Sequence, residues 1–134
     1  LQFINGMAAN DPVSTLQIWK FIIDRYPADG GTCIFFNSRD DRPVRTRQMI
    51  ELTLKDIKPD YFIVRGDKVD ATIQRLAHHS PNTKVQIKSL SDPHEGVVKK
   101  IMELPHDTLI YAIGNQVGAG QSILEQLSNY RNNG

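Results

Sequence analysis

Short apolar runs alternate along this chain with segments of helical periodicity. The apolar runs predict strands at Leu1–Ile4, Thr32–Phe36, Tyr61–Arg65, Lys84–Lys88 and Thr108–Ile113. The segments between them predict helices that begin near Pro12, Val44, Lys68, Pro93 and Gly118. Such alternation favours right-handed crossovers between parallel strands. The pattern therefore predicts an α/β fold: a three-layer Rossmann-like domain with a mostly parallel sheet and helices on both faces.

Two of the predicted helices carry recognisable start signals. The first has an apolar face made of Leu16, Trp19, Ile22 and Ile23. Pro12 suits its first position because the missing amide hydrogen would have had no partner there, and Asp11 or Asn10 would cap it. In the fourth helix we expect Asp92 to be the cap and Pro93 to lie in the first turn.

Length and composition are typical of one globular domain, which we place at residues 1–134. The chain has 134 residues with a formal net charge of +1, which argues against a broad nucleic-acid or membrane surface. No apolar window is long enough to span a bilayer. The chain opens inside a predicted strand without an initiator methionine, so we interpret it as part of a longer protein. The single cysteine, Cys33, lies in an apolar run and is expected to be a buried core thiol.

In an open parallel sheet, ligands gather outside the carboxyl ends of the strands, so the loops after strands one, two and five are the candidate sites. The loop after strand one holds polar side chains that lead into a helix start: Asn5, Asn10, Asp11, Ser14 and Thr15. A helix N-terminus offers unpaired amide donors that suit an anion. Simple capping by Asn10 or Asp11 is the alternative.

The loop after strand two runs from Asn37 and collects Arg42, Arg45 and Arg47 at the start of a helix. Cations are unfavourable at that end of a helix dipole, whereas arginines grip phosphates and carboxylates bidentately. We therefore expect Arg39, Arg42 and Arg45 to hold an anionic group. The alternative is an ion-pair network among residues 39–42 themselves.

The loop after strand five contains Gly114, Asn115, Gly118 and Gly120, which would let the backbone approach a ligand closely. It lacks the lysine and hydroxyl of a phosphate-binding P-loop, so a tight strand-to-helix turn is the plainer interpretation. The histidines have no spacing typical of a metal site, and we predict no metal ligands in this chain.

Together, the three loops resemble the C-terminal domain of the Mur ligase superfamily, in its poly-γ-glutamate synthase branch. The resemblance spans essentially the whole chain. It is carried by residues 3–11, 14–16 and 18–20, by residues 37–42 and 45–46, and by residues 110–111, 114–115 and 118–119. The first two motifs are specific, and the third supports them.

The resemblance implies roles for particular positions. Asn10-Asp11-Pro12 occupies the place of a histidine-x-proline motif near the nucleotide, and Asp41-Arg42 the place of an aspartate–arginine pair. Gly114-Asn115 matches a glycine–polar turn after the last strand. Met7 departs from the pattern, because many Mur ligases have an aspartate there that contacts the ribose.

The resemblance also implies the activity. The parent protein would be an ATP-dependent acid–amino-acid ligase that polymerises glutamate through γ-amide bonds via an acyl phosphate. ATP and a divalent metal, Mg or Mn, would be held mainly by an upstream domain absent from this chain, and the isolated domain would be inactive. Its partners would be glutamate or the poly-γ-glutamate chain, the upstream domains and membrane subunits of the synthase, with no nucleic acid. This places the domain on the cytoplasmic side, in a parent protein that can be membrane-associated.

From these considerations we predict three sets of site residues. The catalytic set is Arg42, Asp41 and Arg39. The cofactor-binding set is Asn10, Asp11, Asn5, Asn37, Gly114 and Asn115. The substrate-binding set is Arg45, Ser14 and Thr15. The competing hypothesis is a non-catalytic nucleotide-sensing or partner-docking module. A P-loop upstream in the parent protein would favour the ligase, and a different neighbouring domain would favour the module.

Overall fold

In the computed structural model, residues 2–9, 11–39, 41–115, 122–123 and 125–126 are described, and their strands form one parallel sheet. The strands are β1 (Gln2–Asn5), β2 (Thr32–Asn37), β3 (Tyr61–Arg65), β4 (Lys84–Lys88) and β5 (Leu109–Gly114). Their order across the sheet is β1-β5-β2-β3-β4, and every neighbouring pair is parallel. The predicted α/β fold with a parallel sheet is confirmed.

Helices connect the strands in the predicted alternation. They are α1 (Pro12–Arg25), α2 (Pro43–Leu52), α3 (Asp70–Leu76) and α4 (His94–Met102). A π-helical turn, Thr53–Ile57, extends α2, and a 3₁₀ turn, Ala77–His79, extends α3. Residues 122–123 and 125–126 are helical, whereas the predicted start of that helix near Gly118 lies outside the described residues. No helix in the described ranges is long and apolar enough to cross a membrane.

The strands follow the prediction closely, with shifts of one residue at their ends. β2 and β5 each run one residue further than predicted, because Asn37 pairs in register with Gly114. β1 likewise reaches Asn5, while the predicted first residue, Leu1, lies outside the described residues. β5 begins one residue late, since the Thr108 hydroxyl donates a hydrogen bond to the Pro105 carbonyl, 2.7 Å away, within a turn.

Two helices begin one or two residues after the predicted positions, for backbone reasons. Lys68 has a left-handed backbone (φ 59°), so α3 cannot begin there and starts at Asp70. Pro93 is extended (ψ 143°) and precedes α4 instead of lying in its first turn. The expected cap, Asp92, does not cap α4, because its carboxylate accepts a hydrogen bond from the Ser89 amide at 2.8 Å.

The sheet buries one apolar core on each face, as predicted for three layers. Helices α1, α2 and α3 cover one face, where the Trp19 ring stacks on Tyr111 with centroids 5.8 Å apart. Helix α4 covers the other face, which contains Cys33. Cys33 is fully buried, as expected, and burial raises the pKa of its thiol to about 12.

The predicted apolar face of α1 is partly wrong. Trp19 and Ile22 are buried, and Leu16 packs against the core as a half-buried side chain. Ile23, however, is 42% exposed. The buried side of the helix is centred instead on the line from Thr15 to Ile22, which turns Ile23 towards solvent.

Candidate functional site

The strand order places the carboxyl ends of β1, β5 and β2 side by side. The three loops singled out in the sequence therefore meet at one rim of the sheet. The Gly6 amide donates to the Ala112 carbonyl at 2.8 Å, which joins the first loop to β5. The Asn115 amide donates to the Asn37 carbonyl at 2.8 Å, which joins the fifth-strand loop to β2.

A pocket of about 210 Å³ opens at this rim. Of the predicted site residues, it brings together Asn37, Arg39, Arg42, Arg45, Gly114 and Asn115. Its lining also includes residues that the sequence analysis did not place in the site: Met7, Phe36, Ser38, Thr46 and Met49. The apolar members among these belong to the two cores, so rigidly packed side chains support the polar lining.

Other predicted residues lie beside the pocket and shape its first loop. The Asn5 side-chain oxygen accepts a hydrogen bond from the Met7 amide at 3.0 Å. The Asp11 carboxylate accepts from the Ser14 amide at 2.8 Å and so caps α1. Thr15 is fully buried, and its hydroxyl donates to the carbonyl of Ala9 at 3.0 Å. These residues support the loop by contacts within it, and Asn10 lies outside the described residues.

The electrostatics of Asp11 link the first loop to the second. The Ser14 amide is the main cause that lowers the pKa of Asp11, and the Arg45 guanidinium adds a smaller electrostatic contribution in the same direction. The capping interpretation therefore holds for Asp11. Because Arg45 belongs to the arginine cluster, the charge of that cluster also acts on Asp11.

The second loop contains part of the ion-pair network among residues 39–42 that was the alternative to an anion site. Arg39 binds the Asp41 carboxylate with two hydrogen bonds, of 3.0 Å from Nε and 2.9 Å from Nη2. This contact is the main reason that the pKa of Asp41 lies below its ordinary value. Both side chains remain partly solvent-exposed, at 38% and 64%, so the pair is a weak structural tie. Asp40 lies outside the described residues.

The start of α2 has an unusual charge distribution. Arg42 occupies the N-cap position, Pro43 follows it, and no acidic residue lies in the first turn. Arg42 makes no side-chain capping hydrogen bond. Helix starts are stabilised by negative charge, yet Arg42 and Arg45 are both part of this one. An anion bound here would interact favourably with both guanidinium groups and with the helix end.

An asparagine and a buried arginine tie the rim together. The Asn37 Nδ2 donates to the Asn115 carbonyl at 2.7 Å, and Arg65 Nη1 donates to the Asn37 side-chain oxygen at 3.1 Å. Arg65 Nη2 donates to the Leu90 carbonyl at 2.6 Å. The sequence pattern predicts Arg65 only as the last residue of a strand. The available signal was a charged residue directly after four apolar positions and before Gly66.

The turn after β5 needs its glycine. Gly114 has a left-handed backbone (φ 98°), and a Cβ built on it would overlap the Asn37 carbonyl oxygen. The tight-turn interpretation of this loop therefore holds at Gly114. Gly114 and Asn115 also both line the pocket, and their contact with a ligand stays a prediction.

The donors of this pocket suit an anion better than a metal ion. Guanidinium, amide and hydroxyl groups dominate its polar lining, and they match phosphate or carboxylate oxygens. Across the described part of the chain, no group of three or more histidine, cysteine, aspartate or glutamate side chains could hold a metal ion.

The fold and the site define a parallel α/β domain with an arginine-lined pocket at the carboxyl ends of its strands. Residues 1–130 match the family model described as the poly-gamma-glutamate synthase CapB C-terminal domain, and the chain belongs to this family.

Curated relatives agree with the family match. The chain is 33% identical over 134 residues to PGA synthase CapB of Bacillus subtilis (strain 168), covering 96% of this chain and 33% of the relative. It is 26% identical over 125 residues to the capsule biosynthesis protein CapB of Bacillus anthracis, covering 93% of this chain and 27% of the relative. The chain thus spans about a third or less of these relatives. No solved structure matches it significantly.

Proposed function

We propose that this chain is the C-terminal domain of an ATP-dependent ligase that joins glutamate residues through γ-amide bonds in the synthesis of capsule poly-γ-glutamate. The family description and the names of both relatives support a role in that synthesis. Because the chain spans only part of each relative, the complete activity belongs to the parent protein, and this domain is inactive alone. The competing hypothesis is a nucleotide-sensing or docking module, and the family description favours the synthase.

The chemistry has two steps, and both develop negative charge. In the first, a glutamate γ-carboxylate oxygen attacks the terminal phosphorus of the nucleotide, and the bond to the bridging oxygen breaks. In the second, the α-amine of another glutamate attacks the acyl carbon, phosphate leaves and the amine loses a proton. ATP and a divalent metal, Mg or Mn, held mainly by the upstream domain, would supply the phosphoryl group and neutralise its charge.

Within this scheme the domain closes over the reacting groups and contributes positive charge. Arg39, Arg42 and Arg45 hold an anionic group, either a phosphate or a glutamate carboxylate. The observation that carries the proposal is their convergence on one pocket at the start of α2. Positive groups fixed in advance near developing charge lower a reaction barrier substantially. The partners are then glutamate or the growing chain, the upstream domains and the membrane subunits of the synthase, on the cytoplasmic side.

The test is Arg42→Ala in the full-length parent protein, with ATP-dependent incorporation of glutamate as the readout. We expect kcat/KM to fall roughly 100-fold, as for the loss of one well-placed charged donor. Because Arg42 is exposed, the melting temperature should change little. Arg75→Ala is the matched control, since Arg75 is an exposed arginine on α3 outside the pocket lining. A normal rate for Arg42→Ala would reject the proposed role of the cluster.

A further inference from the structure

A buried arginine at the end of β3 spans the rim without lining the pocket. Arg65 is only 5% exposed and bonds to two carbonyl-type oxygens on neighbouring elements. One is the side-chain oxygen of Asn37 at the end of β2, and the other is the Leu90 carbonyl in the loop after β4. Asn37 in turn donates to Asn115 beyond β5. One guanidinium thus links the ends of four adjacent strands.

The surroundings of Arg65 offer few contacts that would stabilise its buried charge. In the described ranges it makes no ion pair, and its Nε is buried without a hydrogen-bond partner. Burial lowers the pKa of Arg65, and the carboxylates of Asp67 and Asp92 only partly oppose that effect. A buried cation without a contacting carboxylate generally opposes folding, and an apolar side chain of similar volume is often no worse. Residues that are unfavourable for folding in this way tend to lie at functional sites.

The hydrogen bond from Arg65 also determines the orientation of the Asn37 side-chain amide. A side-chain amide has one accepting oxygen and one donating nitrogen, and the two have nearly the same shape. Because Arg65 can only donate, the Asn37 oxygen must face β3. The Asn37 nitrogen then faces the opposite way and holds the Asn115 carbonyl. Asn37 is 1% exposed, so the core allows few other arrangements.

We propose that Arg65 is a positioning residue of the rim pocket, which orients the Asn37 amide and thereby fixes the Gly114–Asn115 turn against the arginine cluster. This assignment rests on the proposed function for its kinetic consequence. The linkage between Arg65, Asn37 and Asn115 is a property of the chain itself. The two parts can therefore be tested separately.

The structural part is tested on this chain by NMR, with Arg65→Lys and Arg65→Met. Lysine keeps the charge but cannot reach both oxygens in the same way, whereas methionine keeps much of the volume. We expect both variants to shift the Asn37 side-chain NH₂ and the Asn115 signals, while signals from α1 stay in place. Arg75→Lys is the matched control and should shift neither. Unchanged Asn37 and Asn115 signals in a folded Arg65→Lys variant would overturn the proposal.

The kinetic part uses the parent protein, with the same variants and Asn37→Ala. We expect Arg65→Lys to raise KM for the anionic substrate or lower kcat by roughly tenfold in a protein that still folds. If Arg65 acts through Asn37, the double variant Arg65→Lys with Asn37→Ala should lose no more activity than the worse of the two single variants. Losses that multiply as independent effects would overturn the linkage, as would unchanged kinetics in Arg65→Lys.

The Arg42→Ala result separates failure of this inference from failure of the proposed function. If Arg42→Ala is impaired and Arg65→Lys has normal kinetics, the positioning role is wrong and the proposed function stands. If Arg42→Ala is normal, the proposed role of the arginine cluster fails, and the NMR comparison alone decides whether Arg65 orients the rim.

Discussion

Two side chains of the first rim loop, Asp11 and Asn5, are held by backbone amides only two or three residues away. The amide of Ser14 holds Asp11, and the amide of Met7 holds Asn5. Such short-range contacts are the part of a site that sequence predicts best, because capping preferences depend on neighbours a few residues away. The expected cap at Asp11 is therefore confirmed. Asp92 fails as a cap because an equally close competitor, the Ser89 amide, takes its carboxylate.

The cap at Asp11 predicts a pH effect on stability. Its folded pKa lies below the ordinary value of 3.8, mainly because the Ser14 amide favours the charged form. This contribution to stability is present above pH 3.8 and is lost as the pH falls through the lower, folded pKa. Asp11→Asn keeps an accepting oxygen but cannot titrate.

Thermal unfolding of this chain and of Asp11→Asn between about pH 2 and about pH 6 measures the effect. We expect the two melting temperatures to differ most at the upper end and to converge in acid. A constant difference across the range would mean that the charge of Asp11 does not contribute to the stability of the fold.

At the scale of elements, periodicity reveals strands and helices but not their order. Apolar runs predicted every strand of the described sheet to within a residue or so. No local pattern indicates that β5 inserts between β1 and β2, because the contacts that hold it join distant positions. The hydrogen bond from Asn37 to Asn115 spans 78 residues. The convergence of the three loops followed from the general rule for parallel sheets, and the structure confirms it.

Alanine substitutions at two glycines, Gly114 in the turn after β5 and Gly96 in α4, should change stability in opposite directions. Gly114→Ala should destabilise the chain by roughly 1–3 kcal/mol, because it forces a side chain into a left-handed conformation against the Asn37 carbonyl. Gly96→Ala is the matched control. Gly96 lies in α4, and among the described residues a Cβ added there would meet nothing within 4 Å beyond its own helix. Alanine at this position should therefore stabilise the chain by up to about 1 kcal/mol.

Urea unfolding of the two variants and the unchanged chain gives both free energies. The turn would not require a glycine if Gly114→Ala matched the unchanged chain in stability. A lower free energy of unfolding for Gly96→Ala would instead show that α4 is sensitive to any substitution. The effect of Gly114→Ala would then not be specific to the turn.

At the scale of the whole molecule, the charged residues that line the site were easier to predict from the sequence than the residues that support them. The arginines stood out because they contradict the charge preference of a helix start. Arg65 did not, because its role depends on burial and on Asn37, which becomes its neighbour only when β2 and β3 pair. Met49 and Phe36 look like ordinary core residues in sequence and line the pocket only because of how the chain packs.

The central claim is that the arginine-lined pocket holds an anionic group of the ligase reaction. The most direct measurement is NMR titration of this chain with γ-glutamyl-glutamate and, separately, with ADP. We predict that the amide signals of Ser38, Gly114 and Asn115 shift together along one saturation curve, and that Arg42→Ala weakens the binding roughly tenfold. Saturable shifts confined to other surfaces, or equal affinity in Arg42→Ala, would contradict the account.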